Sequence, residues 1–249
     1  MTENGKIKIL ILAGGKGKRM QSDLPKCLSS VCNKPMIQYL VDSVAEITKE
    51  KPVAIVGHLA EFIKKELGET CHYAFQPEPL GTGHAVSCAK AECANAENIL
   101  VLSGDQPFIS SETLKNLITK HKNSNAVITF TTTVLPDFEE WRKSFIAFGR
   151  ILRKDGKVIG IREFKDANEQ ERLIKEVNAG CYIFKADWLW KNLTKIKNTN
   201  IQNEYYLTDL FKIASENNEK IETVKIEPKE ALGANTKEEL EILEKFAKK

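Results

Sequence analysis

No run of 18 apolar residues occurs anywhere in the sequence, so it offers no helix able to span a bilayer. The first residues, MTENGKIK, lack the apolar stretch of a signal peptide. Histidine is scarce, with four scattered copies, and Cys27 and Cys32, like Cys88 and Cys93, stand too far apart for a zinc knuckle. The six cysteines (27, 32, 71, 88, 93 and 181) therefore read as small core residues or free thiols in a reducing, cytoplasmic setting. Charge of one sign is lacking too. A net charge of +3 from 37 basic and 34 acidic residues leaves no stripe for nucleic acid, and neither nucleic acid nor membrane is expected as a partner. Ser103 sits in no nucleophile-elbow pattern, which disfavours hydrolase chemistry. There is no internal repeat and no low-complexity linker.

What is there points to a globular enzyme-sized body. Hydrophobic residues make up 42% and charged residues 29% of 249, enough to bury a core. The most informative stretch is IKILILAGGKGKRMQSDLPK, residues 7–26. Ile7, Ile9, Leu10, Ile11 and Leu12 form a short apolar run, as in a strand covered on both faces. Gly14, Gly15 and Gly17 follow, and glycine lets backbone amides approach an anion closely. Lys16, Lys18, Arg19 and Lys26 add positive charge, and Arg19 is able to grip phosphate oxygens bidentately. The loop has no Gly-Lys-Ser/Thr tripeptide, so it is no Walker loop. The dinucleotide pattern G-x-G-x-x-G reaches Gly15 and Gly17 but fails at Met20.

Periodicity predicts β-α alternation through residue 135. Strands are expected at 7–12, 53–56, 73–76, 99–102 and 126–133. Helices are expected from Pro35 with Asn33 as cap, over 59–67 with Gly68 as stop, over 81–93, and over 111–122. The second half changes character. Asp155-Gly156 between two apolar runs signals a hairpin. Further elements are a strand at 177–184, helices near 187–196 and 204–216, a strand at 221–227, and a last helix capped by Thr236 or Asn235. Segment 136–147 is hard to read. The whole reads as one domain over 1–249, with a change of topology near residue 135 and no flexible junction. The fold class is α/β, a mostly parallel mixed sheet with helices on both faces.

Parallel sheets bind ligands at the carboxyl ends of their strands. Three segments fall there. One is the glycine loop. Another is QPEPLGTGH, residues 76–84, where the Gln76 amide offers a donor and an acceptor side by side, as a pyrimidine edge requires. The third is Ser103-Gly104-Asp105, whose carboxylate is placed to hold Mg²⁺ bound to phosphates. Each also reads as an ordinary turn or helix start. Asn178-Ala179-Gly180 reads equally as a strand bulge, Asn235 as a helix cap, and His84 with Cys88 as packing.

Together these segments resemble the sugar-1-phosphate nucleotidyltransferases, and are most similar to the uridyltransferase domain of the bifunctional N-acetylglucosamine-1-phosphate enzymes. The resemblance runs from about Ile7 to Phe246. LAGGKGKRM…LPK, QPEPLGTGHAV, SGDQP, FGRI, REFKDA, EVNAG, NEYYLTD and LGAN occur in family order, and QPEPLGTGHAV is the most specific. It implies a Rossmann-like nucleotidyltransferase fold with Mg²⁺ as cofactor, in which 1–135 would be the nucleotide-binding half and 136–249 the sugar-binding half. It also implies that Leu12, Ala13, Gly14 and Gly15 wrap the nucleotide and that Arg19 and Lys26 face its phosphates as catalytic residues with Asp105. Gln76 with Gly81 and Thr82 would read uracil. Ser103, Gly104 and Asp105 would border nucleotide and sugar. Ala147, Glu163, Lys165, Asn178 and Asn235 would bind the sugar, and Asp105 and Asn235 would hold the metal. The chain departs from the family at Lys18 (for Thr), Ser103 (for Tyr) and Ala147 (for Gly). The family's left-handed β-helix has no counterpart in these 249 residues, so acetyltransfer is not expected.

The expected reaction joins UTP to a sugar 1-phosphate, foremost N-acetylglucosamine 1-phosphate, and releases pyrophosphate by in-line displacement. The attacking phosphate oxygen is already an anion, so no general base is required. Glucose 1-phosphate, or dTTP or CTP in place of UTP, gives the same chemistry. A silent nucleotide-sugar sensor is the alternative of another class, though Arg19, Lys26, Asp105 and Asn235 are more than a sensor needs.

Overall fold

In the computed structural model, which describes residues 6–15 and 24–248, the first strand β1 (Ile7–Leu12) lies inside the main sheet, paired on both sides. A small hairpin, β2 (Ser30–Val31) and β3 (Lys34–Pro35), leads into α1 (Met36–Ala45). Then come β4 (Val53–Val56), α2 (Ala60–Leu67), β5 (His72–Phe75), α3 (Thr82–Cys88), β6 (Asn98–Ser103), α4 (Ser111–Ser124) and β7 (Ile128–Val134). The second half supplies the hairpin β8 (Arg150–Lys154) and β9 (Lys157–Arg162), a single turn α5 (Glu169–Arg172) and the long β10 (Glu176–Lys185). It ends with α6 (Ala186–Leu193), α7 (Asp209–Glu216), β11 (Ile221–Lys225) and α8 (Lys237–Ala247).

The main sheet runs β11-β7-β10-β6-β1-β4-β5, with β8 and β9 branching from β10. β1 pairs in parallel with both β4 and β6, and β4 with β5. β10 is antiparallel to both β6 and β7, while β11 returns parallel to β7. The sheet is therefore mixed but mostly parallel in its first half, as the pattern predicts. Successive strand side chains point to opposite faces. Leu10, Ile55 and Val101 accordingly pack with Phe130, Phe184 and Phe211 on one face, beneath α3, α6 and α7. Ile9, Ile11 and Leu102 pack on the other face with Ile37, Ile63 and Leu114 of α1, α2 and α4. A third core gathers Val31, Phe145, Val177, Leu232 and Leu243, joining the β2–β3 hairpin, the start of β10 and α8. No helix among the described residues is long and apolar enough to cross a membrane.

Four local expectations give way to tertiary structure. Asn33 does not cap α1; with Cys32 it takes a left-handed conformation (φ 65° and 49°) in the turn of the β2–β3 hairpin. Leu59 is likewise left-handed and precedes α2 rather than opening it. The helix from Gly81 stops at Cys88, followed by a separate 3₁₀ turn at Ala91–Cys93. The helix expected over 204–216 starts only at Asp209, because the backbone of 205–207 is engaged elsewhere. Segment 136–147 is a loop with a 3₁₀ turn (Glu140–Phe145) clasped to α8, where Trp141 meets Phe246 edge-on at 4.9 Å.

Candidate active site

The carboxyl ends of β1, β5 and β6 open on one edge of the sheet. Because β10 runs antiparallel to β6, its beginning reaches the same edge. A cleft lies there in two continuous parts, of about 550 and 280 Å³, which share Leu12, Thr82, Ser103 and Asp105 as a common wall. Of the nucleotide-side residues named from sequence, Leu12, Ala13, Gly14 and Gly15 line the larger part. Gln76, Gly81, Thr82, Ser103 and Asp105 line it as well. Gly104 does not. Its N–H donates to Leu12 O at 3.0 Å, and a Cβ there would meet the same oxygen at 3.0 Å, so it acts as a spacer between β6 and β1.

Gln76 is buried, and its backbone N–H continues the β4 ladder to Val56 O at 2.8 Å. Its side-chain Nε2 donates to Gly81 O and faces His84 Nδ1, both at 3.2 Å. Gly81 has φ +109°, and any Cβ on it would stand 2.6 Å from Tyr205 O. Glycine is required there because segment 205–207 is threaded against this loop. Tyr205 N donates to Leu80 O at 2.7 Å, Gly83 N to Tyr205 O at 2.8 Å, and Leu207 N to Thr82 Oγ1 at 3.0 Å. The Thr82 hydroxyl oxygen thus ties the two halves together. This is also why 204–208 is not helical.

Lys26 opens a 3₁₀ turn (Lys26–Leu28), and its ammonium bridges the two halves. It pairs with the Asp105 carboxylate and donates to Asn235 Oδ1 at 2.8 Å, although 209 residues separate Lys26 from Asn235. Asn235 is not the cap of α8; Thr236 is, accepting from Glu239 N at 3.2 Å. The Asn235 backbone N–H is held by Glu239 Oε2 at 2.5 Å, which leaves its amide oxygen facing Lys26. Next to Lys26, burial above all, with the Asp105 charge, pushes the Cys27 thiol up to about 12, so this cysteine is an inert filler below the loop. Arg19, with Lys16, Gly17 and Lys18, lies outside the described residues.

The smaller part of the cleft is lined by Ala147, Glu163, Asn178 and Asn235, as expected for the sugar side. The Glu163 carboxylate is closely surrounded by protein and accepts from Thr208 Oγ1 at 2.8 Å. Burial raises its pKa most; Thr208 opposes this, and the charges of Asp209, Asp166 and Glu204 raise it further. A register shift in β10 between Asn178 and Tyr182, with Gly180 at φ +81°, turns Asn178 into the cleft. The amide is locked there. Its Oδ1 accepts from Gly180 N at 3.2 Å and its Nδ2 donates to Tyr182 Oη at 2.6 Å. Lys165 does not join this group. It is exposed, with its ammonium on Gln202, and it does not line the cleft.

Sequence reasoning missed several neighbours. Tyr182, Thr208 and Gln106 line the smaller part, and Glu204 the larger. The strings EVNAG, NEYYLTD and SGDQP flagged their segments but not these side chains. Arg150 was also missed as a support. It is 1% exposed and donates to the carbonyls of Phe145, Ile146, Phe148 and Arg172, with Phe138 and Phe164 over its guanidinium. That buried fan of donors fixes the loop carrying Ala147. Burial lowers its pKa, yet a guanidinium stays charged.

Known proteins share this architecture. A putative glucose-1-phosphate thymidylyltransferase from Bacillus anthracis superposes with a TM-score of 0.74 at 17% identity, covering 97% of this chain and 95% of that one. A UDP-glucose pyrophosphorylase structure complexed with UDP-glucose gives 0.73 at 19%, covering 98% and 100%. Both likenesses are of fold. In sequence, the chain is 42% identical over 247 residues to the bifunctional protein GlmU of Brevibacillus brevis, covering 98% of this chain and 52% of the relative. It is 46% identical over 206 residues to that of Geobacillus thermodenitrificans, covering 82% and 43%. The chain thus spans about half the length of the curated relatives it matches. The MobA-like NTP transferase domain matches residues 9–150, more than half of the sequence, and the chain belongs to that family as a nucleotidyltransferase.

Proposed function

We propose that this nucleotidyltransferase transfers a uridylyl group from UTP to N-acetylglucosamine 1-phosphate, giving the UDP-sugar and pyrophosphate. The observation that carries the reading is the meeting of Lys26, Asp105 and Asn235 at the junction of a larger, glycine-lined cavity and a smaller, polar one. A nucleoside triphosphate suits the first and a hexose phosphate the second, with the reacting phosphates at the shared wall. The sugar-phosphate oxygen attacks the α-phosphorus of UTP, and the bond to the β-phosphate oxygen breaks as pyrophosphate leaves. Lys26 supplies fixed positive charge to the phosphates. Glu163 and Asn178 hold the sugar hydroxyls and so align the nucleophile, which adds to the charge neutralisation at the phosphates.

Mg²⁺ belongs to the proposal, and the donor set suits it. A carboxylate and an amide oxygen, both hard donors, converge where the Lys26 ammonium already stands in as a cation. Side chains supplying one or two oxygens, completed by substrate phosphates, are the usual arrangement for Mg²⁺. Among the described residues no cluster of three His, Cys, Asp or Glu forms a self-sufficient cage, in keeping with a metal brought by the nucleotide. Asp105 and Asn235 would hold it, and it would supply further neutralisation of the triphosphate charge. A cytoplasmic location is part of the same proposal.

A pyrophosphate-release assay with purified protein, a panel of sugar 1-phosphates, and UTP, dTTP and CTP tests the whole reading. UTP with N-acetylglucosamine 1-phosphate should give the highest kcat/KM. Faster turnover of glucose 1-phosphate would reassign the sugar, and no release from any pair would refute the reaction.

A further inference from the structure

The Gln76 amide is held in one orientation by a histidine with no assigned part in the reaction. Gln76 lines the larger cavity and is buried, so which end of its amide meets the base decides what it reads. Its Nε2 has two protons and two neighbours at 3.2 Å, the carbonyl oxygen of Gly81 and Nδ1 of His84. Gly81 O accepts only. The second proton is satisfied if His84 Nδ1 is the bare, accepting nitrogen. In a neutral imidazole the other nitrogen then carries the proton. His84 Nε2 lies 3.7 Å from Cys88 Sγ, one helical turn on, and sulfur is a weak acceptor for it. The relay Cys88–His84–Gln76 thus fixes both the tautomer and the amide.

With Nε2 committed, the Gln76 oxygen is the end left for a ligand. It lies beside the glycine loop, where a Cβ on Gly14 would stand 3.2 Å from Oε1. We propose that His84 is a specificity-determining positioning residue: it holds Gln76 with its oxygen toward the base, so that the site accepts a pyrimidine with an N3–H donor and rejects one with a bare N3. Uracil and thymine present that N–H, whereas cytosine presents a lone pair, which would face the glutamine oxygen. This inference rests on the uridylyl-transfer reading and adds the device that selects the base. A site built around a buried hydrogen-bonding group rejects a mismatched partner strongly, because the group is left unpaired against it.

Two measurements test it. Nitrogen-15 NMR of the histidines in the wild-type protein should show His84 with bare Nδ1 and protonated Nε2; the opposite tautomer overturns the proposal without any mutation. Equilibrium binding of UTP, dTTP and CTP, without sugar phosphate, then measures selectivity. Wild type should prefer both UTP and dTTP over CTP by roughly 100-fold or more. His84→Phe, which cannot accept, should lose about tenfold of that ratio. His84→Gln, which restores an accepting oxygen, should recover most of it, and thermal melting should confirm that both variants fold. A purely packing role would weaken all three nucleotides together. An unchanged ratio in His84→Phe, with wild type selective, overturns the role of His84 and leaves the proposed function standing. A wild type that binds CTP as tightly as UTP, or binds no nucleotide, overturns both.

Discussion

The two halves of the cleft are built by opposite means. In the larger part, the proposed nucleotide side, glycines and main-chain groups at the ends of parallel strands make much of the surface; Gly14 is needed for close approach and Gly81 for close approach at a positive φ. In the smaller part, the proposed sugar side, side chains brace one another: Asn178 on Tyr182, the half-buried Glu163 on Thr208, and the buried Arg150 on four carbonyls. Backbone amides suit what all nucleotides share, phosphate above all, while the Gln76 side chain is the proposed reader of the base. Side-chain surfaces recognise a particular pattern of hydroxyls. Changes on the first side should damage chemistry or base choice, and changes on the second should alter sugar affinity and stability.

The largest expected effect falls at the seam. Asp105→Ala should lower kcat on the order of 100- to 1000-fold, because the carboxylate that positions Lys26, and that in the proposed reaction would hold Mg²⁺, is lost. Lys26→Ala should behave alike, and circular dichroism should show both folded. Near-normal pyrophosphate release by either would remove the seam from the mechanism. Next comes Gly81→Ala. A methyl 2.6 Å from Tyr205 O, at φ +109°, should cost about 1–3 kcal/mol in denaturant unfolding and loosen the tie between the halves. Unchanged stability would mean that segment 205–207 moves aside freely.

Glu163→Gln sharpens the comparison most. Its carboxyl pKa is raised in the fold, so the folded state holds that proton more tightly than the unfolded chain. The resulting stability is fully present below the unfolded value of about 4.3 and is lost as pH rises through the folded value. At neutral pH the half-buried carboxylate opposes folding, and the neutral isostere should stabilise the protein by about 1 kcal/mol, a melting rise of ~2–4 °C. That gain should vanish below about pH 4, since both groups are then neutral. Sugar-phosphate KM should meanwhile rise roughly tenfold, with UTP affinity unchanged, the loss of one charged hydrogen bond. A shift in UTP binding instead would blur the division between the halves. The smallest effect is Leu173→Lys. The residue is 76% exposed just after α5, and a change within ±0.5 kcal/mol with unaltered kinetics is expected.

Much of the nucleotide side was readable from residue order. The apolar run of β1, the glycines after it, Gln76 closing β5 and Asp105 after β6 all sit where a β-α alternation sets them, because strand ends share one edge of a parallel sheet. The Asp155-Gly156 turn was equally plain, and both residues have positive φ as that hairpin needs (50° and 76°). Legibility failed where a residue's local preference competes with a distant partner. Asn33 has good cap chemistry but turns a hairpin, and Asn235 was readable as a cap but offers its amide oxygen to Lys26. Lys165, in a family-like string, points to Gln202 rather than to the cleft. Tyr182 and Thr208 gave no signal by themselves, since their roles consist of contacts with Asn178 and Glu163.

Sequence alone determined the alternation of strands and helices, the two-faced burial of β1 and the tight turn at Asp155-Gly156. These follow from side-chain periodicity and from glycine's lack of a Cβ, both properties of neighbouring residues. Only the tertiary structure decided that Lys26 meets Asn235, that 205–207 threads past Gly81, and that the beginning of an antiparallel strand lines the smaller part of the cleft. Those contacts join residues tens to hundreds of positions apart, and the free energy that selects them resides in the packed whole.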